Sequence, residues 1–117
     1  MKYLFFITGL CALLFSCKKD APLRNIEMQI TGVNQATTQY NIHITNPANA
    51  SPNIDLVNAI SNQVVPFTVP SGSQLTITYN FTTQGDQFGQ GYVRFIYGTD
   101  TLLKINGGFG TQNLNIP

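Results

Sequence analysis

Side chains able to do chemistry are scarce in this chain. From residue 25 onward there is one histidine, His43, and the acids Glu27, Asp55, Asp86 and Asp100 stand in four separate segments. His43 shares the parity of Asn41 and Thr45, which places it toward solvent or a sheet edge. A single histidine with no cysteine beyond residue 17 leaves the usual zinc ligand sets incomplete. Calcium takes about six to eight oxygens, usually with several carboxylates, and no second acid stands near Asp86 in the sequence. Gly107-Gly108-Phe109-Gly110 lacks the following Lys-Ser/Thr and the helix of a phosphate loop. The expectation is a protein that is no enzyme and holds no metal and no cofactor. The remaining chemically suggestive residue is Cys17, at the end of an apolar leader.

Lys2 gives that leader a positive start, and Tyr3 to Phe15 is apolar apart from Thr8 and Gly9. The layout is that of an export signal. A bilayer-spanning helix needs about 20 apolar residues, and this run ends before Lys18-Lys19, so permanent insertion is the poorer reading. Leu14-Phe15-Ser16-Cys17 resembles the lipobox of bacterial lipoproteins, with an aliphatic residue three before the cysteine and a small one directly before it. Phe15 is a less usual occupant of the middle position, and a plain secretory leader with an incidental cysteine is the alternative. The resemblance implies a diacylglyceryl group on the Cys17 sulfur, cleavage before Cys17, and acylation of the new amino terminus, as with palmitate. An anchor of two or three chains holds a protein on a membrane essentially permanently, since each buried methylene contributes about 0.8 kcal/mol. Ser16-Cys17-Lys18-Lys19-Asp20 is also similar to the start of many Bacteroidetes lipoproteins, which implies the outer membrane. Asp20 leans toward the cell surface, and surface or periplasmic face stays open.

Cleavage there removes 16 of the 117 residues and leaves about 100, the size of one small domain. Cys11 departs with the leader and Cys17 becomes an anchor, so no disulfide or free thiol remains. From residue 25 two cations, Arg94 and Lys104, face the four acids. That balance excludes the basic stripe of a nucleic-acid binder. The organisation is thus a signal peptide over 1–16, a lipidated tether over 17–24 and a domain over 25–117. The tether reaches at most about 28 Å from Cys17 to Asn25 when extended, which keeps the domain close to its membrane. Lys18, Lys19 and Arg24 either add attraction to anionic head groups or simply solvate the linker.

In the domain the apolar period is two. Ile26, Met28 and Ile30 alternate with polar residues, as do Tyr40, Ile42 and Ile44, then Leu75, Ile77, Tyr79 and Phe81, then Val93, Phe95 and Tyr97. These read as half-buried antiparallel strands. Ile54 to Ile60 is a weaker strand because Val57 and Ala59 break the alternation. Pro66 confines Gln63 to Val69 to an edge or a bulge. Thr101 to Ile105 returns from a turn at Gly98-Thr99-Asp100, and Leu114 and Ile116 form a short last strand. Thr83 to Gly91 and Asn106 to Thr111 read as glycine-rich loops. No segment after the leader has a helical pattern. The predicted fold is all-β, a two-sheet antiparallel sandwich of seven or eight strands behind a helical signal segment.

Tyr40-Asn-Ile-His-Ile-Thr-Asn-Pro47, a loop, and Val69-Pro-Ser-Gly-Ser-Gln-Leu-Thr-Ile-Thr-Tyr79 resemble the immunoglobulin-like group of bacterial extracellular domains over about forty residues. Those domains run from a strand ending in Asn into a loop and later carry a Pro-x-Gly corner before a long strand. The resemblance implies an immunoglobulin-like sandwich and no particular activity.

If the strands around Tyr92 and Thr101 form a hairpin, the two glycine-rich loops meet at one end of the sandwich. Phe88 and Phe109 then lie among glycines beside Asp86, Gln87, Gln90 and Gln112, a composition suited to a peptide or a sugar. Both rings either face a partner or fold inward to cap the core. Tyr92, Arg94 and Ile96 form a second, outer-face candidate. Asp100-Thr101-Leu102 resembles the O-glycosylation acceptor of exported Bacteroidetes proteins and also reads as an ordinary turn before a strand. Asn49-Ala50-Ser51 and Asn80-Phe81-Thr82 match the N-glycosylation pattern, which a bacterial leader makes irrelevant. The expected role is a membrane-anchored, non-catalytic binding or interaction module with a protein or glycan ligand and no nucleic acid. The alternative is a structural accessory subunit of an envelope assembly joined by edge-strand addition, at Gln63 to Val69 or at the C-terminal strand.

Overall fold

The structure is a computed structural model that describes residues 21–48, 51–83 and 90–117. The leader, the lipobox and Cys17 lie outside the described residues. Eight strands form in chain order: β1 Leu23–Thr31, β2 Thr38–Thr45, β3 Asn53–Ala59, β4 Gln63–Pro70, β5 Gln74–Thr83, β6 Tyr92–Tyr97, β7 Asp100–Asn106 and β8 Phe109–Asn115. They make two four-stranded sheets of order β4-β1-β6-β7 and β3-β2-β5-β8. Every pairing is antiparallel. The protein is an all-β, two-sheet sandwich. β1 begins at Leu23, ahead of the Asn25 boundary expected from sequence, because Arg24 finds a ladder partner in Val69.

The alternation explains why the sheets face one another. Ile26, Met28, Ile30, Val93 and Phe95 from one sheet meet Tyr40, Ile42, Ile44, Leu75, Ile77 and Phe81 from the other, and none is more than 2 % exposed. Burying one such side chain fully stabilises by about 1.5–3 kcal/mol, so this layer is what holds the two sheets together. Every buried side-chain polar atom among the described residues has a hydrogen-bond partner.

Two local irregularities follow from the sequence. Pro66 lies opposite Glu27 on β4, which is an edge strand, as a residue without an N–H requires. In β3 the register passes from Tyr40↔Ala59 to Ile42↔Leu56, so Val57 and Asn58 together oppose Asn41. That is a β-bulge, and it is why Val57 and Ala59 break the alternation. Asn58 takes a φ of 52°, and its N–H donates to Asn41 Oδ1 at 2.9 Å. Asn41→Ala should therefore cost about 1 kcal/mol in urea unfolding. An unchanged midpoint would show that the bulge holds without its cap.

One expected loop is a strand instead. Only Gly107 and Gly108 separate β7 from β8, and β8 runs from Phe109 through residues expected to be loop. Gly110 sits opposite Tyr79, whose hydroxyl would stand 3.0 Å from a Cβ at that position. Glycine here marks a close approach of a ring to a strand, not a turn.

The registers define two ends. Thr31 faces Tyr92, Ile30 faces Gln63 and Tyr92 faces Asn106, so the segments 32–37, 60–62 and 107–108 share one end, with Gln90 and Gly91. At the other end, Ser71 N–H donates to Pro22 O at 2.8 Å, and Gly72 N–H donates to Ile116 O at 2.9 Å. Arg24 Nε and Ser71 Oγ both donate to Pro117 O, at 3.1 and 2.9 Å. The first described residues and the last thus meet far from the loop end.

Candidate functional site

The loop end is built on polar pins. Asn34 holds segment 32–37 in a turn: its Oδ1 accepts from Ala36 N–H at 3.1 Å, and its carbonyl accepts from Thr38 N–H at 2.8 Å. Asn62 Oδ1 accepts from Val33 N–H at 2.9 Å, which ties 60–62 to 32–37 across the two sheets. Below them the Tyr40 hydroxyl donates to Ser61 O at 2.6 Å and accepts from Gln63 Nε2 at 2.7 Å. Burial pushes the Tyr40 hydroxyl above its ordinary pKa, with the Gln63 hydrogen bond acting weakly the other way. It is a structural acid, kept neutral to hold a loop.

Between these segments opens a cleft of about 480 Å3 lined by Gln35, Thr37, Gln39, Ile60 and Thr82. Its lining carries amides, hydroxyls, the aliphatic side chains of Ala36 and Ile60 and no charge, so it suits an uncharged hydrogen-bonding group better than an ion. The exposed large hydrophobic residues gather around the same end. Ile60 lies in its loop, Tyr92 and Phe109 begin their strands there, and Val64 and Val57 stand close to it; among the described residues Leu23 alone lies at the opposite end.

The residues expected to form a loop-end site divide. Phe109 does stand at that end, 56 % exposed on the outer face beside Asn80, so its ring does not cap the core. Gln90 is exposed just ahead of β6. Gln112 is brought elsewhere: it lies midway along β8 opposite Ile77, on the side of the strand opposite to Phe109. The cause is the strand that replaced the expected loop. Asp86, Gln87 and Phe88 lie outside the described residues.

Thr101 is exposed on β7 near the turn, as an acceptor hydroxyl must be. Tyr92 and Arg94 are exposed and Ile96 half-buried on the outer face of the first sheet, with Lys104 Nζ 6.0 Å from the Tyr92 ring centroid. Asn25, Glu27, Pro66, Ile96 and Gly98 line a shallow hollow of about 170 Å3 on that face.

One arrangement escaped the sequence. On the outer face of the second sheet Asp55, His43, Thr78 and Thr111 form a row across all four strands. His43 Nδ1 stands 3.5 Å from Asp55 Oδ1, and the two side chains are 47 % and 61 % exposed. Acid, imidazole and hydroxyl in that order are the parts of nucleophilic catalysis. Here they lie flat on a solvated surface, where water competes for each group and no wall positions a substrate. The equal parity of His43 and Asp55 was readable, but their pairing needed the bulged register of β3.

Among the described residues no cluster of histidine, cysteine or carboxylate side chains could hold a metal ion. Comparison with protein families, characterised proteins and solved structures finds no match to this chain. The functional reading therefore rests on the geometry of this molecule.

Proposed function

We propose that the protein is a lipid-anchored envelope protein that acts as a non-catalytic interaction module and meets its partner with the loop end of the sandwich. The observation that carries this reading is the placement of the exposed hydrophobic side chains. Ile60, Tyr92, Phe109, Val64 and Val57 surround the loop end, while Pro22, and with it the path to Cys17, leaves from the opposite end. Exposed apolar groups rimmed by amides and hydroxyls are the mark of a protein contact surface. A tether at one end turns that surface away from the membrane, by about eight residues of strand, or roughly 25 Å. The outer membrane follows from the similarity of Ser16-Cys17-Lys18-Lys19-Asp20 to Bacteroidetes lipoproteins, with either face open.

The test uses the full chain in a bacterial host, with a photoreactive residue placed at Thr37 or at Ser73. Adducts to proteins other than a second copy of this chain are expected at Thr37 and not at Ser73; the reverse would sink the proposal. In the same host, Cys17→Ser should lose the acyl mass and leave the membrane fraction, and persistent attachment would rule out the anchor.

A further inference from the structure

Sheet edges invite pairing with other chains, and folded proteins defend them with proline, charge or bulges. Among the described residues the sandwich has four edges, and three are defended. β3 carries the Asn58 bulge and Asp55. β4 carries Pro66. β7 carries Asp100 and Lys104 and a register shift beside Leu102. β8 alone, Phe-Gly-Thr-Gln-Asn-Leu-Asn, has no proline and no charge, and its register with β5 runs without interruption from Asn115 to Phe109.

The hydrogen bonds show which backbone groups β8 presents. Gly108 O accepts from Phe81 N–H, Ile116 N–H donates to Ser73 O, and Ile116 O accepts from Gly72 N–H. In an antiparallel ladder such groups alternate. Even-numbered residues of β8 therefore turn toward β5, and the N–H and C=O of Thr111, Asn113 and Asn115 turn outward.

We propose that β8 pairs antiparallel with β8 of a second copy, with Gln112 on the two-fold axis. This specifies the edge-strand reading of the sequence. In that register Thr111 faces Asn113 of the second copy, and both offer outward backbone groups, as a hydrogen-bonded pair requires. Gly110 faces Leu114, Gln112 faces itself, and the strands overlap over their whole length. A two-fold contact sets each strand against its own sequence, so any charge near the axis would meet its own kind. β8 and β4 both avoid this, and of the two only β8 has no proline to break the shared ladder. The second copy runs the other way, so its Pro22 end lies beside the first copy's loop end. Taken with the proposed anchor, the pair joins two facing membranes rather than two neighbours in one.

Two differently tagged full-length chains, coexpressed and extracted in detergent, provide the test. Capture through one tag should retain the other. Gln112→Lys in both copies should weaken retention at least about tenfold, as should Gln112→Glu in both, through like charges on the axis. Gln112→Lys with Gln112→Glu should restore it. Asn113→Pro removes an outward N–H and none that β5 uses, so it should abolish retention while the melting temperature holds. Retention unaffected by these changes, or no retention of the unmodified chains, overturns the pairing. Vesicles carrying the anchored protein should cluster, and Asn113→Pro should disperse them. Retention without clustering keeps the pairing and overturns the bridge between membranes.

Discussion

Phe81→Ala is expected to remove about 3–5 kcal/mol of stability, the usual loss for a fully buried phenylalanine, and to lower the melting midpoint by roughly 15–30 °C. Phe81 is 0 % exposed, and its ring stacks on Tyr40 with centroids 5.2 Å apart and planes 23° from parallel. It fills the core directly under the loop end. A second variant shows how tightly the ring is held. A Cβ on Gly91 would overlap Phe81 Cε1 and stand 2.7 Å from Cδ1. The ring is fully buried and stacked on Tyr40, and a close-packed core leaves it little room to move aside. Gly91→Ala should cost about 1–3 kcal/mol, typical of overpacking. In a Phe81→Leu background the same change should cost markedly less, because the obstructing edge is gone. Equal costs in both backgrounds, measured by denaturant unfolding, would show that Gly91 is required for some other reason.

Tyr40→Phe is the second large expectation, and it should be read against pH. The hydroxyl bridges Ser61 O and Gln63 Nε2 inside the fold, so its removal strands two polar groups and should cost about 1–3 kcal/mol at neutral pH. Burial raises the folded-state pKa above the ordinary 10.0. Unfolded, the tyrosine releases its proton near that ordinary value, while the folded protein still keeps it. Between the two values the folded state binds more protons, and stability must fall as pH rises. The Tyr40 contribution is complete below pH 10 and is lost above it, at up to about 1.4 kcal/mol per pH unit. Unfolding measured from pH 8 to 11 should show this decline in the parent and a flatter profile in Tyr40→Phe. Parallel profiles would place the alkaline sensitivity elsewhere.

The extent to which the fold could be read from sequence follows from how each strand is stabilised. Tyr40, Ile42 and Ile44, like Leu75, Ile77 and Phe81, are buried on one face only, and burial on one face writes period two into the letters. Pro66 announced an edge because the missing N–H is a local property of one residue. The first part of β8 was hidden for the opposite reason, although Leu114 marked its end. Its inward positions include Gly110, chosen for the approach of Tyr79, and Gln112, exposed at the open side of the sandwich. Neither gives an apolar beat, and what makes the segment a strand is its ladder with β5. The candidate site suffered from the same cause, since Gln112 was placed beside a Phe109 expected in a loop. His43 and Asp55 met only through the register of β3, which the Asn58 bulge shifts by one residue. Strand existence is local information, whereas register belongs to the sheet.

The position of β1 has a mechanical consequence. The chain enters through Pro22 into a strand flanked by β4 on one side and β6 on the other, both antiparallel to it. A pull on the residues ahead of Leu23, resisted at the loop end, runs along β1 and across both ladders. Hydrogen bonds perpendicular to the strands then share the load together and are not opened one after another. A domain held by its first residues and gripped at its far end is loaded in shear, the direction in which a β-sheet resists force best.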